Sequence, residues 1–365
     1  MQSYSDSDLG LSVLNTKAGE SKVELTLQKD QNFVQIDKTE TEEIDPFEYG
    51  IELSGEILKL DTSAGIVGYS MEYIAKYNLF VVGTKDGSIL VYDSSSFHLL
   101  EKLASVHKGW IISLTYSPVL NLLFSTSSDR LIKIFQPESK NIIELTKLEG
   151  HKDNVNAVLV DEKNLLLFSC GRDPDIKIWD LDSYSLKDII STGEGKMGCA
   201  ILNIEEKNCI GVSFFTGEIR FYNIETKLCI FTLETGVSSY YINSLLYLPK
   251  KKFIIAQISS KEIKIWKMIN EELNEFTVYG TIKSEGHANF VYVDKKEESI
   301  VFACDKPFLD VFDLNSLLRK NKIQFAETPL KNSNGLLLIP SLSKIIVSAW
   351  NSPHLYILKY DSLSV

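Results

Sequence analysis

One short pattern recurs seven times along this chain: Ile or Leu, any residue, an apolar residue, an aromatic or leucine, then a polar residue. It reads Ile-Leu-Val-Tyr-Asp to Asp93, Ile-Lys-Ile-Phe-Gln to Gln136, Ile-Lys-Ile-Trp-Asp to Asp180 and Ile-Arg-Phe-Tyr-Asn to Asn223. It continues as Ile-Lys-Ile-Trp-Lys to Lys267, Leu-Asp-Val-Phe-Asp to Asp313 and Leu-Tyr-Ile-Leu-Lys to Lys359. The fourth positions (Tyr92, Phe135, Trp179, Tyr222, Trp266, Phe312 and Leu358) are spaced by 43, 44, 43, 44, 46 and 46 residues. A period this regular means that one supersecondary unit is copied along the chain and that the copies bury their apolar faces against each other.

Within a unit the apolar runs have strand length. The third contains 155–160, 165–170, 176–179 and 186–190, rich in Val, Ile, Leu and Phe. Asp-Glu-Lys-Asn and Arg-Asp-Pro-Asp punctuate them as turns. Four short antiparallel strands make a twisted sheet with two apolar faces, and radial stacking into a closed ring covers both faces while leaving little exposed edge. The expected fold is therefore all-β: a seven-bladed propeller with four antiparallel strands per blade.

The third unit also carries Gly150-His151 at its opening, Trp179-Asp180 at the end of its third strand, and Asp173 six residues before the tryptophan. With the period, these residues make 51–360 similar to the WD-repeat β-propeller family. The resemblance implies a buried hydrogen-bonded network of His151, Ser169, Asp173 and Trp179. In the second unit it implies His107, Asp129 and Phe135, with Thr126 or Ser125 supplying the hydroxyl; the first unit keeps only Asp86 and Tyr92. Units four to seven have Thr216, Ser260, Lys306 and Ser352 at the turn-Asp position, and Gly286-His287 returns in the sixth without it. Those blades are expected to depend more on apolar packing.

The seventh copy ends close to the last residue, so 361–365 is too short for an outer strand. The stretch 51–60 is expected to supply it and to latch the ring, which places the propeller at 51–365. Residues 1–50 then form an N-terminal extension: polar and mobile over 1–20, a hairpin at 22–37, and an acidic solvated loop at 37–48.

Composition narrows the function. A formal net charge of −11 and a pI near 5.1 disfavour nucleic acid and anionic lipid as main partners. The first twenty residues lack the basic start and apolar run of a secretory signal, and no apolar stretch approaches membrane-spanning length. Five cysteines without Cys-x-x-Cys spacing read as buried free thiols in an intracellular, cytoplasmic protein. The sequence offers no catalytic, metal or cofactor motif, so neither an enzyme nor a cofactor is expected. Lys250-Lys251-Lys252 reads as a solvated hairpin tip, and Arg319-Lys320-Asn321-Lys322 as a solvated connection after the sixth copy. The expected function is a scaffold or adaptor for protein partners; the alternative is an enzyme or small-ligand propeller using the central channel.

The resemblance implies a docking rim formed by the residue before each first strand. Aligned on their turns, the units place Trp110, Asn154, Tyr241, Phe290 and Asn332 there. Lys85, Ser128 and Arg172, each before a turn Asp, share that face with Lys108 and Lys152. An aromatic centre with a basic flank fits an acidic or phosphorylated peptide.

Overall fold

The computed structural model describes strands at 12–15, 21–24, 37–38 and 52–61. It then describes residues 68–361, apart from 194, 238–241, 243, 260, 272–273, 286–287, 294–296, 305–307, 325–332, 340–343 and 350–353. Seven four-stranded antiparallel sheets make up the ring. In chain order they occupy 68–103, 111–148, 155–191, 198–234, 245–283, 288–324 and 333–361, the last with Glu52–Asp61 beside His354–Asp361. A separate three-stranded sheet joins Ser12–Asn15, Ser21–Glu24 and Asp37–Lys38. The first of these strands falls within 1–20, and most of the hairpin expected at 22–37 lies outside the described residues.

The third blade shows why such a unit folds this way. Its strands are Val155–Asp161, Leu166–Gly171, Asp175–Asp180 and Ser185–Ser191, paired in sequence order. Every residue of the second strand is buried, whereas the fourth is mostly exposed. A strand covered on both faces reads as an unbroken apolar run, and the outermost strand, facing water, does not.

The core is made between blades. Ile74, Leu79, Val81 and Ile89 of the first blade cluster with Ile111, Leu123 and Phe135 of the second. Phe80, Val82, Leu90 and Tyr92, on the other face of the first blade, cluster with Leu337, Ile339, Ile346, Leu355 and Ile357 of the seventh. Packing of the last sheet on the first makes the array a ring.

The repeated aromatic has a structural role beyond burial. In each blade the pairing of third and fourth strands slips at or beside it, as between Ile178/Trp179 and Phe221/Tyr222. In blades one to six the outer strand holds the extra residue, for example Leu100, Leu145 and Ile230, each exposed. Bulges of this kind add twist, which lets the outer strand follow the blade.

Two expectations need correction. Arg319–Gln324 is the outer strand of the sixth blade, not a connection: Arg319, Lys320 and Lys322 pair with acids on neighbouring segments, which a solvated loop would not require. Nor are all the cysteines buried. Cys170, Cys199 and Cys209 are, and burial pushes the Cys199 and Cys209 thiols up to about 12, but Cys229 is exposed on an outer strand.

Candidate functional site

The rim that receives the chain before each first strand also holds the turn between second and third strands. In blades two and three these two segments are tied by a buried network. His151 Nδ1 lies 2.6 Å from Asp173 Oδ1, its Nε2 lies 2.7 Å from Ser169 Oγ, and Trp179 Nε1 donates to the same hydroxyl at 2.8 Å. The Lys152 backbone N–H donates to Asp173 Oδ2 at 3.2 Å. His107 repeats the arrangement, with Asp129 Oδ2 at 2.9 Å and Ser125 Oγ at 2.7 Å, so Ser125 and not Thr126 is the hydroxyl partner. Phe135 stands where Trp179 does and is fully buried without a donor to give.

Burial works to raise the pKa of Asp129, but the hydrogen bond and charge of His107 outweigh it and hold the carboxyl down at about 2. Asp173 is lowered in the same way by His151. The first blade has no such histidine; Asp86 accepts hydrogen bonds from the Thr84 hydroxyl and from Ser88 N–H within its own turn. In the fourth, Val212 takes the place of Ser169, and Ser213 Oγ, one residue further on, donates to the Ile242 carbonyl of the fifth blade at 2.8 Å.

This framework presents a platform spanning the first three blades. The His107 N–H donates to the Gly87 carbonyl at 2.9 Å, and Gly87 is left-handed, with no room for a Cβ against the His107 carbonyl. Trp110 N donates to Ser128 Oγ at 2.8 Å, and Ser128 N returns a bond to Trp110 O at 3.0 Å. Arg172 N donates to Asn154 O at 2.9 Å, and with its amide nitrogen turned toward them Asn154 donates to Ser128 O at 3.1 Å and Asp153 Oδ1 at 3.3 Å. Held this way, Trp110 is 43% exposed, and the Lys85 ammonium sits 5.3 Å from its ring centre. Desolvation there draws the Lys85 pKa down to about 8. Lys108, Lys152 and Arg172 are exposed on the same rim, as are the carboxylates of Asp86 and Asp153.

The structure thus gathers Trp110, Lys85, Ser128, Asn154, Arg172, Lys108 and Lys152 on one rim. Tyr241 and Asn332 lie outside the described residues. Phe290 does not belong to this rim position: it is the third residue of the strand Ala288–Val293, paired with Ala303. The sixth blade enters its sheet directly after His287, whereas the third takes three more residues after His151 before Val155. The alignment on turns therefore carries Phe290 three places too far. The fourth blade places Met197 and Phe215 at the positions of Trp110 and Ser128, joined by Phe215 N donating to Met197 O at 3.0 Å. Neither was legible in the sequence, because that unit lacks both the Gly-His opening and the turn aspartate.

Seven radially packed four-stranded sheets, two of them with a His–Ser–Asp network at one rim, define a β-propeller of repeated blades. The family model described as "WD domain, G-beta repeat" matches residues 100–136 and 143–180, the segments that carry those networks. The chain is a WD-repeat β-propeller. It is 24% identical over 198 residues to "COMPASS component SWD3" of Saccharomyces cerevisiae, covering 52% of this chain and 61% of that protein. It is 25% identical to "Small ribosomal subunit protein RACK1y" of Oryza sativa subsp. japonica, over 44% of this chain and 49% of that one. It is 30% identical to "Pre-mRNA-splicing factor PRP46" of Candida albicans, over 24% of this chain and 23% of that one. The matches therefore span less than two thirds of each relative.

Proposed function

We propose that the protein is a non-catalytic, intracellular scaffold that docks a protein partner on the rim of its first three blades, around Trp110. The bound element is an acidic or phosphorylated peptide. The observation that carries this reading is a large aromatic side chain left 43% exposed on a backbone held from several sides, with a lysine ammonium over its ring. A rigid aromatic anchor gives contact area at small entropic cost, and cations around it select anionic partners. Four basic side chains on one rim stand out on a chain whose formal net charge is −11. The relatives named as a COMPASS component, a ribosomal subunit protein and a splicing factor are consistent with membership of a protein assembly.

Peptide arrays probed with the full chain, with and without phosphorylation, provide the test, followed by fluorescence polarisation on the peptides retained. Trp110→Ala and Lys85→Ala should each weaken binding by about tenfold, the equivalent of roughly 1.4 kcal/mol. Full retention of affinity by both variants, folded as judged by circular dichroism, overturns the reading.

A further inference from the structure

On the opposite rim, between the fifth and sixth blades, lies a cleft of about 350 Å³ lined by Lys250, Lys251, Lys252, Phe253, Lys267, Met268, Tyr279 and Asn315. Four lysines converge there on a chain of formal net charge −11. Their places in the fold explain the convergence: three occupy the turn between Leu245–Leu248 and Phe253–Ser259, and Lys267 lies in the adjacent strand Glu262–Asn270. The tip of the hairpin therefore lies beside the strand that follows it, with Lys267 paired to Phe253.

The cleft is built rather than incidental. The buried Glu297 of the sixth blade accepts the backbone N–H groups of Lys250 at 3.4 Å and Lys251 at 3.1 Å. Met268 N donates to Lys252 O at 3.0 Å, and Lys252 is held in the left-handed region at φ 55°. These bonds fix the turn whose lysines line the cleft. Phe253 and Met268 are buried, and Tyr279 packs on Phe253 with ring centres 4.6 Å apart while its hydroxyl donates to Asn315 O at 2.7 Å.

The protein neutralises only part of this charge. Lys252 pairs with the exposed Glu271, and Lys251 donates to the neutral Asn315 amide at 2.7 Å. Lys267 is exposed and makes no ion pair among the described residues. From the fourth blade, Lys207 reaches the backbone carbonyl of Glu271 and adds another ammonium at the margin. Like charges held together by fixed backbone lower their mutual repulsion when a multivalent anion bridges them. Phosphate oxygens accept several such donors at once.

We propose that this cleft is a second binding site, separate from the Trp110 rim, for a compact anion carrying two or more phosphate groups. Its volume lies at the lower end of the range for small-molecule sites, which suits a phosphorylated small molecule or the headgroup of a phosphorylated lipid. Lys251 and Lys267 supply the donors, and the Phe253–Tyr279 pair forms an apolar wall.

Calorimetric titration of the full chain with inositol hexakisphosphate tests the site, alongside flotation with phosphatidylcholine vesicles with and without phosphatidylinositol 4,5-bisphosphate. Saturable binding with one site per chain is expected in at least one arm. Retention by the doped vesicles together with weak soluble binding identifies a lipid headgroup, and the reverse identifies a free anion. The double variant Lys251→Glu/Lys267→Glu should weaken binding by about tenfold or more. Lys163→Glu, in the corresponding turn of the third blade, should leave it unchanged. Absence of binding in both arms, or equal losses in the cleft variant and the Lys163 variant, overturns the proposal. Retained binding of a rim peptide by the cleft variant shows that the chain is folded and keeps the two sites' outcomes apart.

Discussion

At the scale of single residues, stability concentrates where polar groups are buried and matched. Asp173 and His151 are nearly solvent-free, and Asp173 also stands 3.5 Å from the buried ammonium of Lys177. Removing the carboxylate leaves an imidazole N–H and a backbone N–H without their acceptor and Lys177 with Asp175 alone, which is the costly way to break a buried network. Asp173→Ala should destabilise the protein by about 2–4 kcal/mol, read as a lower urea midpoint, whereas Asp86→Ala, whose partners Thr84 and Ser88 also bond to each other, should cost about 1 kcal/mol or less. The same groups fix the acid limit. Because the folded pKa of Asp129 is depressed to about 2, its contribution is complete above the unfolded value near 4 and is lost as pH falls toward 2. Urea titrations between pH 5 and pH 2 should show Asp129→Asn losing less stability than the parent across that window. A parallel pair of curves would contradict the assigned role. Much of this was legible in the sequence, since Gly150-His151, Asp173 and Trp179 sit at fixed offsets; the choice of Ser125 over Thr126 was not, because only strand register shows which hydroxyl faces the histidine.

At the scale of strands and blades, the position two residues before the repeated aromatic shows how copies diverge. Blades two to five have a cation there: Lys133, Lys177, Arg220 and Lys264. Each is held by neighbouring acceptors: Glu144 by Lys133, Asp173 and Asp175 by Lys177, Glu218 and the Thr192 carbonyl by Arg220, and the Thr235 carbonyl by Lys264. The sixth blade reverses the sign with Asp310, which is fully buried. Arg319 Nε comes within 3.0 Å of Asp310 Oδ1, but no aligned hydrogen bond reaches either carboxylate oxygen. Burial therefore raises its pKa to about 6 despite the arginine. A raised folded pKa stabilises below the unfolded value near 4 and loses that contribution as pH rises through about 6. Asp310→Asn should match the parent at pH 4.5 and exceed it in stability at pH 7.5; equal urea midpoints at both pH values would count against this account. Outer strands explain what sequence reading missed at this scale. They face water, so Arg319–Gln324 shows no apolar alternation and resembles a loop, and the early entry of Ala288–Val293 into its sheet left no mark beside Gly286-His287.

At the scale of the whole molecule, the period alone carried the blade count, because every copy must bury its second strand between two neighbours. Closure depends on one further pairing. The third strand of the seventh blade, His354–Asp361, has Lys344–Ala349 on one side and Glu52–Asp61 on the other, paired from His354↔Asp61 to Asp361↔Glu52 with a slip between Leu358 and Tyr360. Without the N-terminal strand this sheet would have three strands and expose the edge of one that is otherwise interior, a site for pairing with other chains. We propose that the pairing latches the ring, joining segments almost 300 residues apart in a fold whose other pairings are local. The latch should be separable from the extension before it. Removing residues 1–50 should leave the thermal midpoint within about 2 °C of the parent, while removing 1–61 should lower it by about 5 °C or more, or drive the chain into soluble oligomers through the open edge. Differential scanning calorimetry with size-exclusion chromatography distinguishes these results. A monomer lacking 1–61 that melts with the parent would show that packing of Leu337, Ile346 and Leu355 against Phe80 and Leu90 closes the ring by itself.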